Sequence, residues 1–111
     1  MSLKVDILGS EWTIEERSVK EDKLLENCDG YTDWTARLIV VERELDGTLL
    51  HMDKYVKKVV RHEIIHAYLL ESGLAECSGE TDSWAQNETM VDWFARMLPR
   101  IMKTCSFADA L

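Results

Sequence analysis

The chain has 111 residues, 46% of them apolar, enough for one compact domain and too few for two. Its 21 acidic and 13 basic side chains leave a formal charge of −8, which would repel a phosphate backbone over most of the surface and argues against nucleic-acid binding. No apolar run is long enough to cross a bilayer and the N-terminus lacks a signal-peptide pattern, so the sequence reads as a cytoplasmic protein without membrane attachment.

In chain order, Lys4–Leu8 and Glu11–Arg17 alternate as strands do, and Ser18–Asn27 holds a short helix with Val19, Leu24 and Leu25 on one side. The unpaired cysteines Cys28, Cys77 and Cys105 argue against a disulfide scaffold and read as small buried hydrophobes. Asp29-Gly30 marks a turn before the short strand Tyr31–Thr35 and the strongest strand signal, Arg37–Glu42. Asp46-Gly47 signals another turn. A helix then runs from Asp53, an N-cap, to Ser72, with Gly73 placed to stop it. Val56, Val59, Val60, Ile64, Ala67 and Leu70 form its buried stripe. Leu74–Asp82 reads as a loop, and Ser83 with Gln86 forms a capping box opening a second helix to Leu98. Pro99 ends or kinks that helix and leaves a tail to Leu111. The short basic pieces Lys54–Arg61 and Arg96–Lys103 are interrupted by apolar residues at helical spacing, as solvated helix faces are. Strands first and helices afterwards predict a single α+β domain, 1–111, with a small antiparallel or mixed sheet.

The chemistry lies in His62-Glu63-Ile64-Ile65-His66, an H-E-x-x-H pattern inside the first helix. Residues four apart stack on one helix face, so the two imidazoles can share one metal ion. Zinc accepts nitrogen and oxygen ligands and leaves a position open in catalytic sites. Glu63 stands beside such a metal, placed to take a proton from the attacking water and return it to the leaving amine. The third ligand must come from elsewhere. The extended pattern with a third histidine fails, because Leu69 and Ser72 stand where Gly and His are required. His51 is eleven residues before His62, roughly 16 Å away at helical rise. Cys77 in the loop is an alternative. Glu88, on the following helix, is better placed if the two helices pack antiparallel.

His62–His66 followed by Asn87-Glu88-Thr89-Met90-Val91-Asp92 resembles the gluzincin zinc metallopeptidases. In length, and in the phrase Arg61–Tyr68 followed by Glu71-Ser72-Gly73-Leu74, the chain is similar to the minimal single-domain minigluzincins, related to phage-associated metallopeptidase domains. The resemblance implies one Zn2+ held by His62, His66 and Glu88, with Glu63 catalytic. It makes Asp92 the hydrogen-bond partner of His62 and Asn87 a structural polar residue. It implies a peptide or protein substrate added as a strand along Gly30–Thr35, with Gly30, Tyr31 and Thr32 in contact. It also implies a tail, about 99–111, that could close the cleft and hold the enzyme latent, with Cys105 or Asp109 approaching the metal. The competing expectation for the tail is that Ile101, Met102 and Phe107 cover the core. The histidine that stabilises the oxyanion in larger family members has no clear counterpart; Tyr31, Tyr55 and His51 are candidates. The rival reading is a zinc-stabilised, catalytically silent regulatory or phage-encoded binding module, which would have no need of Glu63.

Overall fold

The computed structural model describes residues 2–43, 52–79 and 82–111. Strand β1 (Ser2–Ile7) turns back into β2 (Ser10–Arg17) with Ile7 opposite Ser10. The two-residue connection, Leu8-Gly9, has φ of 52° and 87°, the mirror-image turn whose twist suits a hairpin. Leu8 is therefore turn rather than strand. The expected helix over Ser18–Asn27 shrinks to a single 3-10 turn, Lys23–Glu26, capped by Asp22. Strands β3 (Gly30–Asp33) and β4 (Leu38–Glu42) follow as an antiparallel pair. Asp33 Oδ1 accepts the Thr35 N–H at 3.0 Å, a local turn bond that ends β3 two residues short of Thr35.

The sheet order is β1-β2-β4-β3, with β2 and β4 parallel and the other pairs antiparallel. The sheet is mixed, and the fold is α+β. Strand β4 is central, and Ile39, Val40 and Val41 are fully buried, whereas β3 forms one edge.

Helix α1 (Met52–Glu71) packs across the sheet, and Asp53 lies inside its first turn instead of capping it. Val59 and Ala67 join Ile7, Trp12, Ile39 and Val41 in the core. At the far end Glu71 accepts from Trp12 Nε1 at 2.9 Å and from Arg37 Nε at 2.7 Å, tying the helix to β2 and the β3–β4 connection. Gly73, with φ of 85°, ends α1 as expected. The next residues correct the sequence reading, because Leu74–Cys77 forms a one-turn helix, α2, rather than a loop. Buried Ala75 fastens it, its carbonyl accepting from Ser78 Oγ and Gln86 Nε2.

The capping box at Ser83 does not form. Ser83 takes a left-handed conformation before the 3-10 turn Trp84–Gln86, and its side chain caps nothing. Helix α3 (Glu88–Phe107) starts five residues later, where Asn87 Oδ1 accepts the Met90 N–H at 2.9 Å. Pro99 does not end it either. The ring removes the N–H owed to the Ala95 carbonyl, and Arg61 Nε from α1 takes that place at 2.6 Å. A neighbouring helix thus supplies the missing donor, and α3 continues to Phe107. Beyond Ala95 no residue of α3 is fully buried; Ile101, Met102 and Phe107 are exposed and do not cover the core. The Asp46-Gly47 turn and His51 lie outside the described residues. Among the described residues no helix is long and apolar enough to cross a membrane.

Candidate metal centre

The buried positions of α1 recur every four residues at Val59, Glu63 and Ala67. Glu63 therefore occupies the middle of the sheet-facing stripe and is only 6% exposed. The neighbouring face carries Lys58, His62 and His66, again four apart, and it turns toward the start of α3. Because Asn87 fixes the first turn of α3, Glu88 and Asp92, one turn apart, both face this row.

His66 Nε2 lies 2.6 Å from Glu88 Oε1, His62 Nε2 lies 3.2 Å from Glu88 Oε2, and the two Nε2 atoms are 3.1 Å apart. Ligands 2.0–2.1 Å from a tetrahedral zinc sit about 3.3 Å from one another, so this donor set has nearly the right spacing. Protonation strengthens the fit. Asp92 Oδ1 stands 3.2 Å from His62 Nδ1. Arg96 Nε at 2.8 Å and Lys58 Nζ at 2.9 Å also bond Asp92, and together they hold its carboxyl well below the usual range. An ionised carboxylate only accepts, so His62 donates through Nδ1, and its neutral form turns the Nε2 lone pair toward Glu88. One ring nitrogen of each imidazole and the Glu88 carboxylate thus converge on one point, an arrangement that a cation can bridge. Burial pushes the His66 pKa down, which favours the neutral imidazole that a metal requires. His62, His66 and Glu88 form the one such cluster among the described residues.

Beside them Thr32 Oγ1 lies 2.9 Å from Glu63 Oε1. Burial pushes the Glu63 carboxyl up, against the downward pull of the Thr32 hydrogen bond, His62 and Lys58. Two cavities meet here and share Cys28, Gly30, Glu63 and Glu88 in their walls. One, of about 190 Å³, extends past His62 to Asp29, Tyr55 and Lys58. The other, of about 290 Å³, extends past His66 to Tyr31, Thr32 and Leu70. The edge strand residues Gly30, Tyr31 and Thr32 thus border the cluster.

Other sequence candidates fall elsewhere. Cys77 is exposed on α2 and outside the cluster. Cys105, in the last turns of α3, and Asp109, just beyond it, line neither cavity. The cysteines are not the buried hydrophobes expected, since Cys28 and Cys77 are exposed and Cys105 is half-buried. Tyr31 donates its hydroxyl to Asp22 beside Arg17, and its pKa is pushed up to about 12, chiefly by burial and then by Asp22. Tyr55 donates to Asp29 and is likewise pushed up to about 12. Sequence reasoning missed Lys58 and Arg96 as partners of Asp92, although each stands four residues from a motif position on its own helix. It also missed Cys28 in the cavity walls and the bond from Thr32 to Glu63, which no spacing signals.

No protein-family model matches the chain, and comparisons with curated proteins and with solved structures likewise give no match.

Proposed function

We propose that the chain is a zinc-dependent metallopeptidase of the gluzincin type, acting on a peptide or protein. The observation that carries this reading is the convergence of His62, His66 and Glu88 beside a buried glutamate, Glu63. Those three residues would hold one zinc ion, whose bound form supplies Lewis acidity for the scissile carbonyl and for water. Asp92 keeps the His62 ring turned for ligation, as acceptors for the second ring nitrogen do in metal sites. Glu63 takes the proton of the attacking water and gives it to the departing amine nitrogen, regenerating the carboxylate. Strand β3, at the sheet edge, offers its outward main-chain groups to an extended substrate, with Gly30, Tyr31 and Thr32 along the cavities.

Zinc analysis and a peptide-library cleavage assay test the proposal together. Wild-type protein binds one equivalent of zinc and cleaves peptides; Glu88→Ala loses the metal. Glu63→Gln keeps the metal and loses about 10²–10⁴-fold in turnover. Full zinc content in Glu88→Ala, with loss in Cys77→Ala, would refute the ligand set. Unchanged turnover in Glu63→Gln would refute the mechanism.

A further inference from the structure

We infer that Thr32 is a positioning residue for Glu63: its hydroxyl occupies Oε1 of the carboxylate and leaves Oε2 as the oxygen that exchanges the proton. This inference rests on the metallopeptidase reading above. Thr32 Oγ1 lies 2.9 Å from Glu63 Oε1 and 3.1 Å from the Glu63 main-chain carbonyl. A hydroxyl has one proton to donate, and an ionised carboxylate accepts more strongly than a carbonyl. Thr32 is the one hydrogen-bond donor to this carboxylate among the described residues. Glu63 is only 6% exposed, so bulk water is a poor substitute.

The approach of β3 to α1 is built in two residues earlier. Gly30 and Thr32 share one face of the strand. A Cβ at Gly30 would meet the Val40 carbonyl oxygen at 2.9 Å, Val59 Cγ1 at 3.2 Å and Glu63 Cγ at 3.4 Å. A glycine lets the strand lie against the helix closely enough for the next side chain on that face to reach the carboxylate.

The chemical consequence is directional. Donation to Oε1 lowers that atom's basicity, so the proton taken from water goes to Oε2. The water oxygen forms its bond to the carbonyl carbon. The proton then leaves Oε2 for the amide nitrogen as the C–N bond breaks. Oε1 stays bonded to Thr32 throughout, and the carboxylate cannot swing its two oxygens in turn.

Thr32→Val removes the hydroxyl with little change of shape, and Thr32→Ser keeps it. With zinc content unchanged, Thr32→Val lowers kcat about ten- to a hundredfold and leaves KM within about twofold. Thr32→Ser restores most of the rate. Thr32→Ala provides the same comparison if the valine variant does not fold. A second readout needs no turnover: in crystal structures, the Glu63 carboxylate turns away from its wild-type orientation in Thr32→Val and returns to it in Thr32→Ser. An active enzyme whose Thr32→Val variant keeps its kcat and its Glu63 carboxylate orientation overturns the inference. A wild-type protein that cleaves no peptide, yet shows the carboxylate turning in Thr32→Val and its reversal by serine, removes the metallopeptidase reading and leaves the Thr32 contact standing.

Discussion

Arg61 should be worth more to this fold than an arginine on a helix ordinarily is, and its value should depend on Pro99. Ala95 is fully buried, and Pro99 cannot give its carbonyl the usual helical N–H. Arg61 Nε supplies the bond at 2.6 Å from the other helix. Charge-assisted bonds contribute about 1.5–3 kcal/mol, and stranding a buried acceptor costs about as much. Arg61→Leu, which keeps most of the apolar stem, should therefore lose about 2 kcal/mol, or about 8–10 °C in melting temperature for a domain of this size. Pro99→Ala returns an N–H to the same carbonyl. In that background Arg61→Leu should cost only about 1 kcal/mol, a coupling within the range seen for residues that share a partner. Urea titrations followed by tryptophan fluorescence on the wild type, both single variants and the double variant give the cycle. Additive costs would refute the argument, because Arg61 and Pro99 would then not share the Ala95 carbonyl.

Two further outcomes follow from the site and its anchor. Asp92→Ala frees the His62 ring and should weaken zinc binding about ten- to a hundredfold in a competition titration, whereas unchanged affinity would remove Asp92 from the metal centre. Arg37, and then Trp12, hold the Glu71 carboxyl at about 2, below its ordinary 4.5. A depressed carboxyl stabilises the fold above its unfolded value, so this contribution is present above about pH 4.5 and disappears as pH falls toward 2. Arg37→Ala should raise the pH of acid unfolding, read from tryptophan fluorescence, and a coincident acid transition in the variant would count against the Glu71 anchor.

The sequence by itself determined the elements whose signal is local. Alternation placed β1 and β2, the β-branched run of Arg37–Glu42 placed β4, and the apolar stripe with Gly73 bounded α1, because side-chain direction repeats with period two in a strand and 3.6 in a helix. The same helical geometry made His62 and His66 neighbours before any tertiary contact was known. Local signals misled where they competed. Ser83 and Gln86 read as a capping box, but Asn87 caps the helix that forms, and the chain at Leu74–Cys77 becomes helical through contacts with Gln86 and its surroundings. Pro99 read as a stop because only the chain's own N–H was counted, whereas Arg61, 34 residues away, satisfies the carbonyl.

Only the tertiary structure decided how the two helices meet. The 2.6–3.2 Å approach of Glu88 to the histidines depends on where α3 starts and which face it turns to α1. Spacing put Glu63 between Val59 and Ala67 on the buried stripe, but nothing in it revealed that a sheet-edge threonine reaches the carboxylate. That contact depends on Gly30, which has no Cβ to hold strand and helix apart.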